Sequence, residues 1–120
     1  MNEQEKFEAM VNLLAELSSE GKYPDEIKNF EDVIKTSGNG EAYFGTAKED
    51  WDMIDFPRPQ LFPNKEIKFF AEYYDGFQAP FVVCGWKDSF GELERLLEGV
   101  SEELYKVYKG KVAETERKND

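Results

Sequence analysis

The chain reads as an α+β domain, a small antiparallel sheet of about three strands packed against N-terminal and C-terminal helices. Three observations predict this. Apolar residues recur at helical spacing near both ends. Two strand-like runs stand close together in the middle, at 66–74 and 80–86. No segment of 10–15 residues with helical periodicity separates those runs, so they cannot form a parallel β-α-β unit and must pair as an antiparallel hairpin.

The first helix is marked by Phe7, Met10, Val11, Leu14 and Leu17, one apolar stripe. Glu3, Glu5 and Glu8 lie toward its N-terminal end, where the helix dipole favours acids, and Gly21 fits the residue just past its C-terminus. Glu5, Asn12 and Glu16 form a solvated face. Pro24 opens a second helix at the position where a missing N–H costs nothing, with Asp25 and Glu26 behind it. Ile27, Phe30, Val33 and Ile34 supply its apolar side, and the turn formers of 36–40 stop it.

A short strand is predicted at 41–46 (EAYFGT). Segment 47–54 carries acids that suit a helix start but is ambiguous, and the prolines at 57, 59 and 63 make 55–63 a stiff loop. In 66–74 (EIKFFAEYY) strict alternation places Ile67, Phe69, Ala71 and Tyr73 on one face and Lys68, Phe70, Glu72 and Tyr74 on the other. Asp75-Gly76 is the turn signal. The run from Pro80 to Trp86 is apolar on both faces, as an inner strand requires. Ser89 with Glu92 three residues on has the form of a capping box before Phe90, Leu93, Leu96 and Leu97. Gly99 and Ser101 interrupt that helix. A last one, from about Glu102, carries Leu104, Val107, Tyr108 and Val112 and ends in a polar tail expected to fray.

With 120 residues, one domain spanning 1–120 is the default expectation, large enough to fold without a disulfide or a structural metal. A lone cysteine suits a reducing compartment. The opening MNEQEKFEAM has no apolar stretch of the kind a secretory leader needs, and no apolar run is long enough to span a bilayer. A cytoplasmic location is expected.

The 26 acids outnumber the 15 bases, for a net charge of −11. Such a field repels phosphate, which argues against direct binding to nucleic acid or to an anionic membrane. The excess is uneven: residues 1–60 hold 14 acids and 6 bases, residues 61–120 hold 12 and 9. A contact surface built on charge is therefore expected from the first half.

Catalytic chemistry has little to stand on. There is no histidine, which removes Ser-His-Asp and Cys-His arrangements and every His-containing zinc site. Cys84 sits in the apolar run FVVCGW and is expected as inert core. Glu49, Asp50, Asp52 and Asp55 are dense in carboxylates, but Trp51, Met53 and Ile54 intervene and the glycine of a calcium loop is missing. Gly38-Asn39-Gly40 lacks the residues of a phosphate loop and precedes a strand. The basic end (Lys106, Lys109, Lys111, Arg117, Lys118) complements a helix dipole. No cofactor, metal ligand set or catalytic residue is assigned.

What remains is acids interleaved with aromatics over 49–77. Rings supply contact area that charge alone lacks. The expected activity is protein binding without catalysis: an acidic inhibitor or regulator of phage, DNA-mimic, immunity or antitoxin type. It would dock on a basic protein surface or in the nucleic-acid channel of an enzyme. The expected contact residues are Glu49, Asp50, Trp51, Asp52, Asp55, Phe70, Glu72 and Tyr74. The alternatives are a structural subunit or homodimer using an uncovered sheet edge, or a small carboxylate- or metal-dependent enzyme.

Overall fold

The computed structural model describes residues 1–44, 67–73 and 82–118. In chain order it contains α1 (Glu3–Ser19), α2 (Pro24–Ser37), β1 (Gly40–Phe44), β2 (Phe69–Tyr73), β3 (Val82–Trp86), α3 (Phe90–Val100) and α4 (Glu102–Lys118). The α+β class holds: the described residues form four helices and an antiparallel sheet of three strands, ordered β1-β3-β2. The inner strand is β3, as its two-sided apolar sequence requires. The predicted turn at 75–76, the loop at 55–63 and the ambiguous segment 47–54 lie outside the described residues.

Local chemistry sets the helix ends. Asn2 caps α1: its side chain accepts from Glu5 N at 2.8 Å while Glu5 Oε1 accepts from Asn2 N at 3.2 Å, a complete capping box. Only half of the box predicted at Ser89 forms. The Ser89 hydroxyl accepts from Glu92 N, but the Ser89 N–H is taken by Asp88 at 2.7 Å and Glu92 turns to Arg95. Asp88 is nearer in sequence and wins the donor. Gly99 stays inside α3, and the break falls at Ser101 alone, whose hydroxyl caps α4 by accepting from Leu104 N at 3.1 Å. The helix α4 continues to Lys118, and Glu116 lies 3.8 Å from the amino terminus.

Between α1 and α2 the chain reverses through Gly21 and then Tyr23, which holds a left-handed φ of 53° immediately before Pro24. A left-handed non-glycine residue costs about 1–2 kcal/mol. Compensation comes from the Tyr23 hydroxyl, which donates to Glu103 of α4 at 3.1 Å and ties the turn across the molecule.

The helix α1 is central. Besides the predicted stripe it buries Leu13 and Ala15, because it packs against the sheet on one side and α4 on another. Phe7 meets Phe69 of β2 and Phe90 of α3, with ring centroids 5.6 and 6.4 Å away. Phe30 of α2 stacks on Phe44 of β1 at 6.0 Å. Trp86 closes the core and donates its indole N–H to Ser89 O at 2.8 Å. Gly40 is obligatory for this packing: a Cβ there would lie 2.5 Å from Gly85 O and 2.7 Å from the Trp86 ring.

A bulge opens β2. Phe69 pairs with Trp86, yet Lys68 N also donates to Trp86 O at 3.0 Å, so two residues face one. This corrects the predicted alternation. Phe69 and Ala71 face the helices, but Ile67 joins Phe70 on the opposite side, because the extra residue at 68 shifts the side-chain phase by one.

Candidate interaction face of the sheet

The strands present two unlike faces. Toward the helices point Ala42, Phe44, Cys84, Trp86, Phe69 and Ala71. On the other face the register aligns two cross-strand rows, Glu41–Gly85–Phe70 and Tyr43–Val83–Glu72. Val83 is fully buried at the middle of this face, with half-buried Tyr43, Ile67 and Phe70 packed against it. Acidic and aromatic positions thus alternate across the sheet, Glu41 beside Tyr43 on β1 and Phe70 beside Glu72 on β2.

Of the sequence-predicted contact residues, Phe70 stands on this face and Glu72 stands opposite Val83 in the register. Glu49, Asp50, Trp51, Asp52, Asp55 and Tyr74 lie outside the described residues. Sequence reasoning missed Glu41 and Tyr43 as members of the same face. The signal was present: in EAYF they alternate with Ala42 and Phe44, which β1 buries. Which strand lies next to them was not readable, because β1 and β2 are separated by a strand that comes last in the chain.

Where α2 crosses β1 lies a shallow open groove of about 70 Å³ lined by Lys28, Glu31, Asp32, Lys35, Glu41, Ala42 and Tyr43. Lys28 is paired with Asp32 at 3.1 Å. Glu31, 6% exposed, accepts from Phe44 N at 2.9 Å.

Much of the acidity is already engaged within the fold. Asp25, Glu26, Glu102 and Glu103 sit in first helical turns, Asp88 and Glu5 serve caps, and Glu94 accepts from the buried Tyr108 hydroxyl at 2.9 Å. Burial, with this hydrogen bond to a carboxylate, pushes the Tyr108 phenol far above its ordinary range. Burial alone does the same to the Cys84 thiol, so the expected inert core cysteine is what β3 contains. Among the described residues no group of three or more His, Cys, Asp or Glu side chains is disposed to hold a metal ion. No helix among them is long and apolar enough to cross a membrane. Comparison with family models, with curated proteins and with solved structures returns no match to the chain.

Proposed function

We propose that the chain is a protein-binding protein, an acidic inhibitor or regulator that docks acids and aromatic rings on a basic partner surface, such as the nucleic-acid channel of an enzyme. The observation that carries this reading is the pair of cross-strand rows on the sheet face turned away from the helices. They set Glu41 and the rings of Tyr43 and Phe70 on the face that Val83 centres, with position 72 opposite Val83 in the register. Rings beside carboxylates suit a site dense in Arg and Lys: the acids speed encounter and the rings provide the desolvated anchor. The net charge of −11 supports the same direction, since it favours cationic partners over phosphate.

The test is capture of partners on the immobilised chain, with two variants and one competitor. The Asp52→Lys, Asp55→Lys pair reverses charge in the segment the sequence singles out, and Phe70→Ala removes a ring from the described face. Excess duplex DNA competes if the acids stand in for phosphates. A basic protein retained by the native chain, lost with the charge-reversed pair and with Phe70→Ala, and displaced by DNA supports a phosphate-mimicking regulator. Retention at saturating DNA removes the mimicry. Equal capture by all variants overturns the acid–aromatic reading.

A further inference from the structure

Among the described residues the sheet ends at β1 on one side and at β2 on the other, and a strand edge is a template for adding another strand. On β1 the direction of each backbone group is set by the register. Lys87 N donates to Asn39 O at 2.8 Å, extending the β1–β3 pairing by one position. The hydrogen-bonded pairs are therefore Glu41 with Gly85 and Tyr43 with Val83, while Gly40, Ala42 and Phe44 point their N–H groups away from β3. The outward N–H of Phe44 donates to Glu31 Oε1 at 2.9 Å.

Glu31 is the one buried charged residue among the described residues. It lies on α2 between Phe30 and Ile34 on the side packed against β1, where an apolar side chain would avoid the cost of desolvating a carboxylate. What a carboxylate provides there, and leucine would not, is an acceptor for a strand's outward N–H. We propose that Glu31 is an edge guard: by occupying the outward N–H of Phe44, one of three on β1, it keeps a second copy of this chain from adding its own β1 alongside. A second copy is the relevant intruder because two identical edges meet as a self-complementary antiparallel pair. Lys28, Asp32, Lys35, Glu41 and Tyr43 line the same groove as Glu31. The other edge carries a longer contact of the same kind, Gln4 Nε2 donating to Phe70 O at 3.4 Å.

The experiment uses the full chain with Glu31→Met, which keeps the reach and lacks a strong acceptor, and Glu31→Gln, which keeps the acceptor oxygen. Residue-resolved amide exchange and sedimentation over a range of concentrations are read for each. In dilute Glu31→Met, Phe44 exchange rises by about tenfold or more while Glu41 and Tyr43 keep their protection. On concentration the mass climbs above that of the native chain. Glu31→Gln follows the native chain in both. If Glu31→Met does not fold, Glu31→Leu carries the same expectation. The proposal is overturned if Phe44, Glu41 and Tyr43 exchange in step, if Gln and Met behave alike, if the Met variant keeps the native mass at every concentration, or if the native chain already associates through β1.

Discussion

The two faces of the sheet are built from the same strands and differ in almost everything else. On the helix side, Phe44, Cys84 and Trp86 are each about 1% exposed and locked among rings from α1, α2 and α3. On the far side, among the described residues, Val83 and Gly85 of the inner strand are buried; Tyr43, Ile67 and Phe70 around Val83 are half-buried, and Glu41 stands beside them. The period-2 pleat lets one strand serve both ends: every residue turned to the core puts its neighbours on the opposite face. Stability should therefore concentrate on one face and recognition on the other.

The largest expected effect comes from the helix side. Trp86→Ala removes the largest fully buried side chain and the donor to Ser89 O, and is expected to cost about 3–5 kcal/mol, read by denaturant unfolding. Wild-type stability in that variant would break the division of labour.

The next effect sharpens the same face by pH. The folded values of Cys84 and Tyr108 lie above their ordinary 9.0 and 10.0, so the folded state holds protons that the unfolded chain releases. The stabilising difference is complete below pH 9 and is lost as pH rises through 9 and then 10. The melting temperature should be level between about pH 6 and 8 and fall steeply above about pH 10 as far as these groups decide it. Tyr108→Phe should flatten the upper part of that fall; an unchanged slope would show that Tyr108 does not contribute.

On the far face, Tyr43→Ala trims a half-buried ring at the margin of the Val83 cluster and is expected to cost only about 1 kcal/mol in stability. Its partner binding should fall far more, by about 2 kcal/mol if the ring is an anchor. A loss of stability as large as that of Trp86→Ala would erase the distinction between the faces.

The smallest effects lie off the sheet. Gly99 and Gly110 sit in helices with open space where a Cβ would go. Gly99→Ala and Gly110→Ala should each stabilise by about 0.5–1 kcal/mol in thermal melts, without touching either face.

The local elements were legible because each is written in short-range chemistry. The stripe of Phe7, Met10, Val11, Leu14 and Leu17, the opening Pro24, the stop at Gly38 and the two-sided apolar run ending at Trp86 all match the observed elements. The capping box at Asn2 follows the same rule as the one expected at Ser89 and was overlooked beside a run of acids. Less legible were the places where two signals compete. Asp88 against Glu92 for one N–H is a contest of geometry, and the bulge at Lys68 overrides an alternation that reads as perfect.

Charge, the absence of histidine, the helical stripes and the inner-strand character of 82–86 were set by the sequence alone, since each depends on residue type and on spacing along one element. Tertiary structure decided which strands became neighbours. It set the last described strand between the first two, aligned Glu41, Tyr43 and Phe70 on a common face with position 72 opposite Val83 in the register, and brought Glu31 against the edge of β1. Those pairings join residues far apart in the chain, so no rule that runs along one element sets them.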